Sequence, residues 1–161
     1  MKNLRNLFIL ALIVSAGVNT AVAQTKSKKQ LKEERISAMV KAKQYIFIAN
    51  YVLPQRGGSR QLTSEYDLRV TPDSVISFLP YFGRAYFDVP YGGNDTGIKF
   101  TSTKFSYEVT DKKKGGWEIT IKPADVKNMN RLILSISSDG YASLGVYTVN
   151  RDYIDFSGYL K

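Results

Sequence analysis

The sequence contains no cysteine and no histidine. Without cysteine no disulfide can form, so the fold depends on its apolar core, and a thiolate nucleophile is excluded. Without histidine there is no imidazole base, and the usual ligand sets for zinc cannot be assembled. Any metal site would have to use oxygen ligands, which favours calcium or magnesium. We therefore expect no cofactor and favour a protein without enzymatic activity.

Long apolar runs are also scarce, and the clearest one lies at the N-terminus. A basic start at residues 1–5 is followed by an apolar run at residues 7–18 and a small-residue triplet, AVA, at residues 21–23. This order is typical of a secretory signal peptide. The run is shorter than the roughly 20 residues that a membrane-spanning helix needs. We predict a signal peptide over residues 1–23, cleaved after Ala23, and no transmembrane segment after cleavage. The protein is then exported, either periplasmic or secreted.

Acidic residues are outnumbered, with 14 Asp and Glu against 23 Lys and Arg. Loss of Lys2 and Arg5 with the signal peptide leaves 23 − 2 = 21 basic residues, and 21 − 14 gives a mature net charge of +7. A basic exported protein meets anionic lipid or polysaccharide as neighbours, whereas nucleic acid is not expected as a partner there. The expected partner is a small molecule or a component of the cell envelope, of identity unknown.

The mature chain has the length of a single domain. We assign residues 24–30 to a flexible basic leader and residues 31–161 to one β-rich domain. Good helix formers run from about residue 28 to residue 43. Apolar residues recur there at the spacing of one helical face: Ile36, Met39 and Val40. The pattern predicts an amphipathic helix whose apolar stripe packs on a sheet.

The rest of the domain alternates apolar and polar residues, the period of two that predicts β-strands. A continuous apolar stretch at residues 45–53 predicts a strand buried on both faces or lying under the helix. Asp139-Gly140 is the strongest hairpin signal. Residues 123–129, which begin with proline, are expected to form one helical turn. Alternating apolar positions include Leu68 and Val70, Phe105 and Tyr107, Ile119 and Ile121, Leu132 and Leu134, Leu144 and Val146, and Ile154 and Phe156.

These patterns predict a mostly β fold, either all-β or strand-dominated α+β. Turn signals at regular spacing are typical of an antiparallel sandwich or barrel, here of about 8–9 strands with one N-terminal amphipathic helix.

The least regular stretch, residues 79–93, lies between two series of strands. It holds five aromatic rings, two prolines, three glycines and one arginine. Rings beside an arginine favour ligand binding through stacking and cation–π contacts. The same composition is typical of a structural crossover that joins two sheets or closes a barrel. For a ligand site, the predicted contact residues are Tyr81, Phe82, Arg84, Tyr86 and Tyr91.

Other candidate sites are weaker, and we assign no catalytic residue and no metal ligand. Asp88, Asn94 and Asp95 offer oxygens for calcium, but their spacing does not match an EF-hand, and Asn-Asp beside glycine makes turns. Most acidic residues fall on solvent faces or in turns, which disfavours the paired carboxylates of a glycosidase. Arg56 and Arg60 flank two glycines, but no strand–loop–helix context supports a phosphate cradle.

Several short motifs, in order along the chain, resemble those of one exported family. They are LTSEYDL at residues 62–68, LPYFGRAY at 79–86, GIKF at 97–100, KKGGWEI at 113–119 and SSDGYA at 137–142. The chain resembles domain-of-unknown-function family 4251, which is met in exported proteins of Bacteroidetes. The resemblance covers nearly the whole mature chain and implies a location in the bacterial envelope. It implies no catalytic residues.

Three hypotheses for function follow. The first is an exported, non-catalytic β-domain that binds a small or extended ligand at the aromatic loop. The second is a structural or interaction module of the cell envelope. The third, a metal hydrolase with oxygen ligands, is the least favoured, because the acidic residues are predicted to lie outside any cleft.

Overall fold

The computed structural model describes residues 27–88 and 97–161. The predicted signal peptide, residues 24–26 of the predicted leader, and Tyr91 lie outside the described residues. Within these two ranges, no helix is both long enough and apolar enough to cross a membrane. The elements are α1 (Lys28–Ala42), β1 (Tyr45–Pro54), β2 (Arg60–Val70), β3 (Val75–Leu79), β4 (Ile98–Ser102), β5 (Phe105–Asp111), β6 (Trp117–Pro123), β7 (Met129–Ile136), β8 (Tyr141–Thr148) and β9 (Ile154–Leu160).

The nine strands form one sheet, in the order β4-β3-β2-β1-β9-β8-β7-β6-β5. Every neighbouring pair is antiparallel, and every pair except β1 and β9 is consecutive in the chain. The sheet is therefore an up-and-down meander that curls until its first and last strands pair. The prediction of a mostly β antiparallel fold with one N-terminal helix is confirmed, and the barrel-like form is the one adopted.

The two edges of the sheet, β4 and β5, are separated by only Thr103 and Lys104. Because antiparallel neighbours reverse direction at each step, the strand order makes β4 and β5 run in the same direction. They are therefore two halves of one bent strand, whose first half pairs with β3 and whose second half pairs with β6. If β4 and β5 are counted as one bent strand, the barrel has eight strands. This even number allows every neighbouring pair to be antiparallel.

Asp125, in the connection from β6 to β7, holds this bend. Its carboxylate accepts hydrogen bonds from the backbone N–H groups of Thr103, at 2.9 Å, and Lys104, at 3.1 Å. It also accepts a hydrogen bond from the Ser102 hydroxyl. The Ser102 hydrogen bond, with those from the backbone, lowers the pKa of Asp125 from 3.8 to about 2. One exposed carboxylate thus ties β6 to the middle of the bent strand.

The prediction of a helical turn over residues 123–129 is wrong. Pro123 is the last residue of β6, and the residues after it form bends and a turn. Asn128 has a φ of +63°, in the left-handed region, which is incompatible with continuing a right-handed helix. The Asp125 carboxylate binds the N–H groups of Thr103 and Lys104 at the bend.

The inward side chains of the strands form the core. An eight-stranded barrel is just wide enough for side chains to fill it, and large apolar residues such as Phe47, Leu134 and Phe156 are fully buried here. Burial of one such side chain stabilises the fold by about 1.5–3 kcal/mol. Of the two alternatives predicted for residues 45–53, a strand buried on both faces or one lying under the helix, the first is wrong, because Ile46 and Ile48 on the outer face of β1 are only half-buried. The strand belongs to a barrel wall with solvent on one side.

α1 closes one end of the barrel, which we call the helix end. Ser27 and Gln30 form a capping box, in which each side chain accepts the other's backbone N–H, at 3.2 and 2.9 Å. The helix therefore begins at Lys28, before the domain start predicted at residue 31. Ile36 and Val40 are buried in the core, as the predicted apolar stripe requires.

Two tyrosines attach the C-terminal end of α1 to the barrel. The Tyr107 hydroxyl, on β5, donates to the Val40 carbonyl oxygen at 3.2 Å. A phenol has one proton, so the Tyr45 hydroxyl must be the donor in its 3.1 Å contact with the Tyr107 oxygen. Burial is the main cause that raises the pKa of Tyr45 and of Tyr107. The free side of β5 is thereby joined to the helix.

Candidate ligand-binding site

The aromatic loop lies at the opposite end of the barrel, which we call the loop end. After β3, the chain runs against the turn that joins β8 to β9. The Tyr86 N–H donates to the Asn150 carbonyl at 2.9 Å, and the Asp152 N–H donates to the Arg84 carbonyl at 3.0 Å. Between these bonds Ala85 makes an antiparallel bridge with Arg151. These backbone hydrogen bonds therefore attach the loop to the β8–β9 turn.

Tyr81 anchors the start of the loop. Its side chain is 9% exposed and belongs to the apolar core. Its hydroxyl proton is shared between the carbonyl oxygens of Arg84, at 2.7 Å, and Asp152, at 3.1 Å. The guanidinium of Arg151 lies 5.0 Å from the ring centroid. Burial is the main cause that raises the pKa of Tyr81 to about 12. Tyr81 is thus a structural anchor that connects the loop with the β8–β9 turn.

Gly83 is required by this arrangement. A Cβ atom at position 83 would lie 2.6 Å from the Tyr81 hydroxyl oxygen, well inside van der Waals contact. The hydroxyl is fixed by its two carbonyl partners and has little freedom to move aside. Glycine at this position lets the Tyr81 ring fold back under the loop.

The next rings point outward. Tyr86 is 62% exposed and Phe87 is 54% exposed. The Tyr86 hydroxyl donates to the Asp152 carboxylate, and this hydrogen bond is the main cause that raises the pKa of Tyr86. The positive charges of Arg56 and Arg84 act in the opposite direction on that pKa. The loop end therefore carries two exposed rings and two exposed cations.

Phe82 and Arg60 extend the same area. Phe82 is partly buried against the core, and the guanidinium of Arg60 lies 5.4 Å from its ring centroid. Arg56, Arg60 and Arg84 are all exposed. Across residues 27–88 and 97–161, no carboxylate forms an ion pair with these three side chains. The exposed surface of the loop end therefore combines positive charge with aromatic rings.

A cleft of about 330 Å³ opens beside the loop, between β4 and the β6–β7 connection. At its rim the Asp88 carboxylate forms an ion pair with Lys127, at 2.6 Å, and accepts a hydrogen bond from Asn128, at 2.9 Å. The Lys127 hydrogen bond is the main cause that lowers the pKa of Asp88. In the part of the chain that the structure describes, no three acidic side chains cluster as a metal site would need. Asn94 and Asp95, the other residues considered as sources of oxygen ligands for calcium, lie outside it.

The predicted ligand contacts thus have different positions. Arg84 and Tyr86 are exposed and close to each other, Phe82 is partly buried, and Tyr81 is buried as an anchor. Tyr91 lies outside the described residues. The partners of the loop in the β8–β9 turn are Asn150, Arg151 and Asp152. They were not predicted, because that turn is more than 60 residues away in sequence. No local pattern in the sequence could have identified them.

This arrangement can bind but offers little for catalysis. Guanidinium groups pair with carboxylates and phosphates, and exposed rings stack on planar or apolar faces. Asp152 is half-buried and accepts a hydrogen bond from the Tyr86 hydroxyl.

Comparison with known proteins identifies similarities of sequence and fold. A family model described as "Domain of unknown function (DUF4251)" matches residues 27–160. The crystal structure of a DUF4251 family protein from Bacteroides eggerthii superposes with a TM-score of 0.61 and 19% sequence identity, over 81% of this chain and 87% of that one. At that identity the likeness shows the fold alone. No curated protein matches the chain significantly.

Proposed function

This chain belongs to the DUF4251 family of domains of unknown function, and we propose that it is an exported, non-catalytic β-domain that binds a ligand at the aromatic loop. The ligand carries an anionic group and a planar or apolar face. The anionic group pairs with Arg56 and Arg84, and the face packs on Tyr86 and Phe87. The signal-peptide pattern at residues 1–23 supports export.

One observation carries this proposal. Tyr86 and Phe87 remain more than half exposed although the backbone around them is held by hydrogen bonds to the β8–β9 turn. Exposed rings on a fixed backbone lose little conformational freedom when a ligand binds, which favours affinity. Arg56 and Arg84, both without an ion pair among the described residues, add attraction for a negative group.

The binding proposal is tested by ligand-observed NMR with a set of small aromatic carboxylates as probes. Arg84→Ala and Tyr86→Ala are expected to reduce the saturation-transfer signal of the bound probes by severalfold, since the first removes one of the two proposed cations and the second removes one of the two proposed rings. Arg69→Ala and Phe78→Ala change an exposed arginine and an exposed ring elsewhere on the barrel, and they should leave the signal unchanged. If no probe binds, or if all four variants behave alike, the proposal is wrong.

Export is tested separately. In cells that produce the full chain, we expect the protein in the periplasmic or extracellular fraction, with Gln24 as its first residue by mass spectrometry. Recovery of the uncleaved chain from the cytoplasm would contradict the proposal of export. It would not bear on the proposal of ligand binding.

An interaction module of the cell envelope is the second candidate. Among the residues that the structure describes, β4 pairs with β3 alone, so its other edge offers backbone groups that a strand of another protein can pair with. Crosslinking in cells with a photoreactive residue at Thr101, an exposed position of β4, tests this function. A single protein partner at that position would favour the interaction module over a small-molecule binder.

A further inference from the structure

A groove with a different composition runs along the outer wall of the barrel. A hollow of about 490 Å³ lies across β1, β9, β8 and β7, and a second of about 550 Å³ lies between α1 and the β7–β8 hairpin. Asn50, Tyr141 and Tyr159 line both hollows, so the two hollows are adjacent, and we call the two together the groove. It is on the wall near the helix end, away from the aromatic loop.

The strand register determines the shape of this groove. Ser143 is opposite Ser157 on one side and opposite Ser135 on the other, so three serines form a row across three strands. Tyr51 is opposite Ser157 and ends the row. In the neighbouring row Tyr141 is directly opposite Tyr159. Short side chains thus form the floor, and tyrosine rings form its end and one side.

The groove presents hydroxyl groups and ring faces to solvent. Tyr51, Tyr141 and Tyr159 are 45%, 66% and 40% exposed. Within residues 27–88 and 97–161, the hydroxyls of Ser143 and Ser157 and of these tyrosines form no hydrogen bond to the protein. A row of hydroxyls about 5 Å apart, set by the spacing of the strands, is therefore available to a ligand.

Cations lie at both ends. At one end the Lys112 ammonium donates to the Ser135 hydroxyl. At the other end the Lys32 ammonium lies 5.9 Å from the centroid of the Tyr141 ring, and Arg35 and Lys161 line the hollow with it. Asp139 is the acidic residue that lines this hollow, and its carboxylate accepts a hydrogen bond from the Ser137 hydroxyl. Positive charge therefore predominates around the groove.

We propose that this groove binds a chain of acidic sugars. The C–H face of a sugar ring packs on an exposed tyrosine ring, and its hydroxyls exchange hydrogen bonds with serine, asparagine and tyrosine side chains, the mixture typical of a binding site with few polar groups among rings. Lys32, Arg35 and Lys112 attract the sugar carboxylates. This ligand site is separate from the aromatic loop, and either site can exist without the other.

The matched ligands for the test are an oligogalacturonate and a neutral malto-oligosaccharide of equal length. Isothermal titration calorimetry with the purified protein should show binding of the oligogalacturonate, weaker at high salt because the cations are exposed, and little binding of the neutral chain. Tyr141→Ala and Tyr159→Ala should each weaken binding about tenfold, which corresponds to roughly 1.4 kcal/mol. Ser143→Val, which places methyl groups on the floor of the groove, should also weaken binding.

Three control variants complete the design. Phe78→Ala removes an exposed ring and Ser106→Val fills an exposed serine position on β5, both outside the groove, so neither should change binding. Arg84→Ala disrupts the proposed loop site and should leave oligogalacturonate binding intact, which separates the two proposals. The inference is overturned if neither oligosaccharide binds, if both bind equally, or if Tyr141→Ala and Tyr159→Ala bind as the unchanged protein does.

Discussion

The two ends of the barrel are closed in different ways. At the helix end, α1 buries Ile36 and Val40 in the core and is joined to β5 through the Tyr107 hydroxyl. At the loop end, Pro80 and Tyr81 are buried and Phe82 is partly buried, and hydrogen bonds to the β8–β9 turn hold the residues after them. The first closure depends on removal of apolar surface from water, and the second depends on paired backbone groups.

This difference explains why the loop end exposes the rings on which the proposed loop site depends. A closure made by apolar burial turns its side chains inward, so those side chains are not available to a ligand. A closure made by backbone hydrogen bonds leaves the side chains free, and here Arg84, Tyr86 and Phe87 are exposed.

Removal of apolar surface at the helix end should have the largest effect. Ile36→Ala is expected to lower the free energy of unfolding by about 2–4 kcal/mol, because it removes buried methyl groups and leaves a cavity. Urea unfolding followed by circular dichroism measures the change. Leu31→Ala, at an exposed position of the same helix, should change stability by no more than about 0.5 kcal/mol. Equal effects of the two variants would show that α1 is not held by its buried face.

At the loop end, the change that corresponds to Ile36→Ala is removal of the Tyr81 hydroxyl. Tyr81→Phe leaves the Arg84 and Asp152 carbonyl oxygens without their shared donor, and we expect a loss of about 1 kcal/mol in the same unfolding experiment. Limited proteolysis should also cleave the loop faster. Tyr141→Phe, which removes an exposed hydroxyl, should leave both measurements unchanged. A loss as large as that for Ile36→Ala would contradict the comparison.

The bend between β4 and β5 should give the protein a specific sensitivity to acid. The pKa of Asp125 is lowered from 3.8 to about 2 in the folded state, so its charged form stabilises the fold fully above pH 3.8. That contribution is lost as the pH falls from 3.8 through about 2. The advantage of the unchanged protein over Asp125→Asn in urea midpoint should therefore shrink across this range.

A matched variant makes the acid experiment specific. Asp73→Asn changes an exposed carboxylate in the β2–β3 turn, and its difference from the unchanged protein should stay constant with pH. If the Asp125→Asn difference is also constant between pH 3.8 and 2, the carboxylate does not hold the bend in the way its hydrogen bonds indicate.

The smallest effect is expected at the outer surface of the loop. The hydrogen bond to Asp152 raises the pKa of Tyr86, so the phenol should titrate above the ordinary value of 10.0 in an NMR titration. Asp152→Asn should bring that midpoint down, because the charge that favours the protonated phenol is gone. Tyr86→Phe should not change the urea midpoint measurably, since the side chain is exposed. If the Tyr86 midpoint is the same in Asp152→Asn, the hydrogen bond to Asp152 is not what raises the pKa of Tyr86.

Local patterns predicted the elements well, since each depends on residues close together in the chain. The period of two along residues 132–136 predicted that Leu132 and Leu134 share one face, and both are buried inside the barrel. Asp139-Gly140 makes the β7–β8 hairpin, with Gly140 at a φ of +84°. The prediction failed after Pro123, where the helical pattern was overridden by bonds from Asp125 to residues more than 20 positions away. Local propensity does not include such partners.

The candidate sites show the same limit. Composition alone directed attention to the aromatic loop, but it could not separate Tyr81, which is an anchor, from Tyr86, which is exposed. That distinction depends on Asp152, which lies 66 residues from Tyr86 in sequence. The groove was not predicted at all, because Tyr51, Tyr141 and Tyr159 come together only through the pairing of β1 with β9 and β9 with β8.

The sequence by itself determined the strands, the helix, the absence of disulfides and of imidazole chemistry, and the basic character of the protein. Each of these follows from residue type or from periodicity over a few residues. Only the tertiary structure decided that the sheet closes by pairing β1 with β9, that one strand bends at Thr103 and Lys104, and which tyrosines face solvent. Those features depend on contacts between segments that are distant in the chain, and no short pattern encodes them.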